Sequence, residues 1–263
     1  MQSIIKVEVS KTISILGCGW LGKALAIDLI TNNYVVKGST TSDQKLQELS
    51  NEKIIPHLID ISHLPNDILN FLDSEILLIA ITSKNVEDFE KLSTVIEKSS
   101  IKKVIFISST SVYPSNNETV TEDSPTLNTA LSQIEDIFRS NTNFQSTIIR
   151  FGGLFGYNRK PGNFIKPNKP FKNPEGFINL IHRDDCIGII KSIIENDIWN
   201  ETFNACANDH PIRREFYTKE ALKLGKNNIE FEENSKNEYK IVNSDKVINR
   251  TGYQFKYADL MKF

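Results

Sequence analysis

The chain has 263 residues, 39% of them hydrophobic and 24% charged, with a formal net charge of -2. That length allows one large domain, or a nucleotide-binding core with a smaller lobe, and the composition allows an ordinary core without disulfides or a structural metal. The near-neutral balance excludes a chain-wide attraction to nucleic acid or to an anionic membrane.

Cys18, Cys186 and Cys206 lie far apart with no C-x-x-C pair, so reduced thiols in a cytoplasmic protein are expected, and no metal site of the usual spacing. Residues 1–11 lack the apolar stretch of a signal peptide, and no apolar run approaches the length of a membrane span.

Thr12–Leu16 (TISIL) reads as a buried strand that runs straight into a glycine-rich turn, and Lys23–Thr31 follows with helical spacing. Tyr34–Lys37 is a second strand ended by Gly38, and Gln44–Ser50 is a helix. Lys53–Asp60 is a third strand, which Pro56 assigns to a sheet edge or an irregular position. Ile76–Ile81 is a strand, Val86–Lys98 a helix, Lys103–Ile107 a strand, Ala130–Phe138 a helix and Ser146–Phe151 a strand. Strands buried on both faces and alternating with helices predict an α/β fold, a Rossmann-type doubly wound parallel sheet.

Composition changes after Phe151. Gly152–Gly176 is rich in Gly, Pro, Asn and Lys and reads as a long loop. Beyond it come a strand at Ile178–Ile181, a helix at Asp184–Glu195, a strand near Phe203 and a helix at Arg213–Leu224. The expected organisation is a Rossmann domain over residues 1–151 and a small C-terminal substrate lobe over 152–263, whose elements at about 178–205 return to the core.

The turn after the first strand is Gly17-Cys18-Gly19-Trp20-Leu21-Gly22, with G-x-G-x-x-G spacing. Its first glycine permits a tight turn, the second lets backbone approach a pyrophosphate, and the third lets the helix pack on the sheet. Amides at the helix start then face the phosphates. The strand before and the helix after are the context that gives this pattern meaning. Methyltransferase-type loops read G-x-G-x-G and would need glycine at Leu21.

NAD enzymes place an acid at the end of the second strand. Here that stretch is Lys37-Gly38-Ser39-Thr40-Thr41, with no acid before Asp43 and with Lys45 nearby. Ser39, Thr40 and Thr41 therefore point to NADP, with NAD as the alternative.

Five stretches in order, GCGWLG (17–22), ISSTSVY (107–113), IRFGGLFG (149–156), NLIHRDD (179–185) and FNACA (203–207), resemble the extended short-chain dehydrogenase/reductases. This is the NAD-dependent epimerase/dehydratase group, and the likeness is greatest to its atypical YeeZ-type branch. The resemblance implies that Ser109 and Thr110 contact a substrate carbonyl or hydroxyl. It also implies that Asp60 and Ile61 meet the adenine, Thr82 and Ser83 the ribose and pyrophosphate, and Phe151 and Gly152 the nicotinamide.

Active members of the group carry Tyr-x-x-x-Lys at the start of the next helix. This sequence aligns Leu127 and Leu131 there, and Tyr157 and Tyr113 are the phenols on other loops that could replace the missing proton donor. Losing a positioned acid–base costs about 10²–10⁴-fold in rate.

Asp185 is expected to cap the helix that follows it, His182 to end a buried strand, and Arg150 to pair structurally. Lys160, Lys166, Lys169 and Lys172 could neutralise an anionic substrate such as a nucleotide-linked sugar, in a monomer or a homodimer. Two functions are compatible with these features: an oxidoreductase or epimerase with an altered site, and a dinucleotide-binding sensor or regulator without turnover.

Overall fold

The computed structural model describes residues 11–166, 169–227 and 229–262. Seven strands form the main sheet: β1 (Thr12–Leu16), β2 (Val35–Thr40), β3 (Ile55–Leu58), β4 (Ile76–Ile79), β5 (Lys103–Ser109), β7 (Gln145–Phe151) and β10 (Thr202–Ala205). Their order is β10-β7-β5-β4-β1-β2-β3, a parallel sheet that starts at its centre and winds outward both ways. It is a Rossmann-like α/β fold. The all-apolar β4 is buried along its whole length, as a strand covered by helices on both faces must be.

Helices α1 (Gly22–Thr31), α2 (Leu46–Asn51), α4 (Val86–Ile96), α5 (Ala130–Arg139), α6 (Arg183–Glu195) and α7 (Arg213–Leu222) fall near their expected places. The helix α3 (Ile68–Phe71) was not expected. Contacts divide the chain into two compact units. One takes the described residues up to Phe106 with Asp136–Ser146, and the other Ile107–Glu135 with Thr147 onward.

Several expectations are corrected. Gly38 does not end β2, which continues to Thr40. It sits inside the strand because a Cβ there would lie 2.5 Å from both the Cys18 sulfur and Ile54 Cγ2. β4 is shorter than expected and stops at Ile79, and β5 runs on to Ser109. Pro56 does lie on the edge strand β3, paired with Gly38.

The stretch 152–176 is not all loop. It opens with β8 (Gly153–Phe155), which pairs in parallel with β9 (Leu180–His182), and it holds a 3-10 turn at Pro161–Asn163. Also unexpected are β6 (Glu118–Val120), its parallel partner β11 (Lys240–Val242), and α8 (Asp245–Thr251). Three-residue strands are too short to show an alternating pattern, and α8 is mostly polar.

Candidate functional site

The carboxyl ends of β1, β2 and β4 frame a cleft of about 590 Å³ in the first unit. Gly17, with φ +101°, turns the chain out of β1 where a Cβ would meet the Ala80 carbonyl oxygen at 2.8 Å. A Cβ on Gly22 would lie 2.2 Å from the Gly17 carbonyl oxygen, so this glycine lets α1 close onto the turn. Gly19 differs, because an added Cβ there would meet nothing within 4 Å. Its bareness answers no need of the protein's own packing.

Ser39 holds the loop. Its buried hydroxyl accepts from Gly17 N at 2.9 Å, and its carbonyl accepts from Cys18 N at 2.8 Å. Ser39 is thus committed to the turn, while Thr40, exposed Thr41 and exposed Lys45 complete that wall. Burial pushes the Cys18 thiol up to about 12, which keeps it neutral.

At the far wall Asp60 Oδ1 accepts from the Ser62 hydroxyl at 2.7 Å and the Ser62 amide at 2.9 Å. These bonds hold its carboxyl below the usual range. Ile61, Thr82, Ser83 and the unanticipated Asp88 also line the cleft.

The second unit holds the turn after β5. Ser108 is buried and donates to Glu135 Oε1 at 2.5 Å. Ser109 is half-buried; its oxygen accepts from Ser111 N at 3.1 Å, which leaves its O–H to donate elsewhere. Thr110 is buried.

Glu135 forms a buried pair with Arg150 at 2.6 Å, and Arg150 donates to Tyr113 Oη at 2.5 Å. Tyr113 in turn donates to Asn204 Oδ1 at 2.9 Å, and burial raises its phenol pKa. Arg150 and Tyr113 are therefore structural.

Tyr157 lies 56% exposed with its hydroxyl donating to Asp184 Oδ1 at 2.9 Å and the Arg183 guanidinium 4.0 Å above its ring. Those contacts hold it in the His182–Asp184 cluster, and none reaches Ser109 among the described residues.

A curated relative matches across nearly this whole length. YeeZ of Escherichia coli K12 is 27% identical over 267 residues, spanning 95% of this chain and 97% of YeeZ. The chain is a homologue of YeeZ. No family model matches it.

Two solved structures share the fold of this YeeZ homologue. A short-chain dehydrogenase/reductase superfamily protein from Agrobacterium tumefaciens with bound NAD superposes with TM-score 0.76, at 16% identity and 95% and 94% coverage. UDP-glucuronic acid 4-epimerase from Bacillus cereus, in complex with UDP-glucuronic acid and NAD, gives 0.77, at 18% identity and 95% coverage of both chains.

In this YeeZ homologue Leu127 is 45% exposed, and Leu131 packs against Val112, Tyr113, Val120, Cys206 and Val242. Neither position carries an acid or a base. Of the expected cofactor residues, Gly17, Cys18, Gly19, Ser39, Thr40, Thr41, Asp60, Ile61, Thr82 and Ser83 share the cleft. Trp20, Leu21 and Gly22 do not line that space. Phe151 is buried in the second unit. Gly152 is packed there so closely that a Cβ would lie 2.7 Å from the Asn179 carbonyl oxygen.

The cap of α6 is His182, whose Nδ1 accepts from Asp184 N at 3.2 Å, and not Asp185. Buried Asp185 instead takes the Tyr253 hydroxyl and the amides of Lys256 and Tyr257. Sequence spacing placed Asp185 before a helix but carried no sign of a partner some 70 residues on. Among the described residues no cluster of three or more His, Cys, Asp or Glu could hold a metal, and no helix is long and apolar enough to cross a membrane.

Proposed function

We propose that the first unit binds a nicotinamide dinucleotide, NADP in preference to NAD, in a cytoplasmic oxidoreductase or epimerase of the extended type with altered acid–base machinery. The observation that carries this reading is Gly19. At the mouth of β1, beside the start of α1, the chain leaves open the volume a side chain would fill. Backbone amides there can face a pyrophosphate directly. Gly17–Gly19 would hold the pyrophosphate, Asp60 and Ile61 the adenine, Thr40, Thr41 and Lys45 the 2′-phosphate, and Thr82 and Ser83 a ribose. When bound, the dinucleotide supplies hydride transfer.

The substrate class is a small molecule such as a nucleotide-linked sugar, by analogy with the UDP-glucuronic acid bound by the Bacillus cereus epimerase. Ser109 offers its O–H to a substrate oxygen, Thr110 supports it, and Tyr157 is the candidate proton donor. A second reading, dinucleotide binding without turnover, is favoured by the apolar Leu127 and Leu131 and by the bond that ties Tyr157 to Asp184.

Titration with NADPH and NADH by nucleotide fluorescence tests the binding. NADPH should bind more tightly, and a clear preference for NADH overturns the NADP assignment. Gly19→Val should weaken both by roughly 1–3 kcal/mol, the usual cost of overpacking, in a protein that stays folded. Unchanged affinity would mean that the loop does not hold the phosphates. If a substrate is turned over, Tyr157→Phe should abolish the reaction, and unaltered turnover removes that tyrosine as the donor.

A further inference from the structure

One carboxylate in the cleft is unexplained by the fold. Asp88 is 7% exposed, lines the cleft, and makes no hydrogen bond or ion pair with any described residue. It is the third residue of α4, where an acid ordinarily folds back onto the amide of the cap residue. Here that amide, Asn85 N, is directed to Ser83 Oγ at 3.4 Å, and the cap bond itself runs from Glu87 N to Asn85 Oδ1 at 3.1 Å. Side chains on a helix lean toward its N-terminus, so the Asp88 carboxylate is not drawn away along α4. The carboxylate faces the cleft with no donor among the described residues, so a ligand that enters the cleft can supply one.

We propose that Asp88 is a nucleotide ligand whose carboxylate accepts the hydroxyl hydrogens of a ribose. The assignment rests on the dinucleotide reading of the same cleft. Phosphates offer no donor and repel a carboxylate, whereas a vicinal diol presents two O–H groups to two carboxylate oxygens. An acid that engages a ribose diol commonly sits after the second strand of such folds. This chain has none there before Asp43, and α4 supplies one from the other side of β1.

The test compares wild type, Asp88→Ala and the isosteric Asp88→Asn by calorimetric titration with NADPH, NADH, ADP and 2′,3′-dideoxy-ADP. Both variants should lose affinity for NADH, Asp88→Ala by about tenfold or more, the scale of a hydrogen bond to a charged group. If the adenosine ribose is the partner, ADP shows the same loss, while dideoxy-ADP and NADPH, whose 2′-oxygen carries phosphate, are spared. If the nicotinamide ribose is the partner, NADH and NADPH both lose affinity and ADP does not. Unchanged or tighter NADH binding overturns the proposal, as does an equal loss for all four ligands. Wild-type protein that binds none of the four overturns the dinucleotide reading itself. Asp88→Asn guards against a folding defect, since it keeps the shape of the side chain.

Discussion

Two strand ends in this chain carry small residues in family-like order, and they are used in opposite ways. At the end of β1, Gly19 leaves backbone bare around open space, and the Ser39 side chain is spent holding the loop. At the end of β5, Ser108 and Thr110 are absorbed by the protein, and Ser109 keeps only its O–H for a ligand. Ser108 serves the buried Glu135–Arg150 pair, Ser109 caps its own turn, and Thr110 is packed. Resemblance to a motif gives position. The bonds made by each atom decide whether a position is still available to a ligand.

The contrast breaks most sharply at Glu135. Glu135→Ala leaves Arg150 charged in the interior and strips Ser108 of its acceptor. It should cost about 3–5 kcal/mol in denaturant unfolding, whereas Arg150→Met with Glu135→Leu should recover most of that loss. A loss below about 1 kcal/mol would mean that the network is not structural. A smaller effect tests the environments of Leu127 and Leu131. Leu131→Lys places an ammonium among apolar neighbours and should cost about 1–3 kcal/mol, while Leu127→Tyr, on an exposed position, should stay within about 0.5 kcal/mol. Equal costs would show that the two positions do not differ in environment.

The β1 loop was legible because its signal is local. A strand, three spaced glycines and a helix occur within twenty residues, with Gly17 and Gly22 forced by close packing and Gly19 facing open space. The parallel, doubly wound character of the sheet followed from apolar runs alternating with helices, while the order of its strands is a finding of the structure. Asp88 was not legible, because an acid in the first turn of a helix is ordinary and only the diversion of Asn85 N to Ser83 leaves it without a partner. Nor was Asp185, whose donors come from residues 253–257. Gly38 was misread as a strand end, because glycine punctuates turns and its real constraint, the closeness of Cys18 and Ile54, is tertiary. β6 and β11 pair across about 120 residues with three residues each, too few to leave a periodic trace.

The gentlest probe of the comparison is Ser62, which tunes a cleft residue without blocking it. Its hydroxyl, and then its amide, hold the Asp60 carboxyl below the usual range. A folded value below the unfolded one means that these bonds stabilise the protein at pH above the unfolded value, and that the contribution is lost as pH falls through the folded value. Ser62→Ala removes the stronger bond and keeps the amide. The Asp60 pKa should therefore move part of the way back toward an ordinary carboxyl, as read by NMR titration of the side-chain carbon. Asp60 is exposed, so the unfolding midpoint at neutral pH should hardly move. If Asp60 accepts a base amine from the nucleotide, affinity in the variant should begin to fall at a higher pH than in wild type. An unshifted Asp60 pKa would show that the Ser62 hydroxyl turns instead toward His63 Nδ1, its neighbour at 2.9 Å, and the Asp60 carboxyl would then be tuned by the backbone alone.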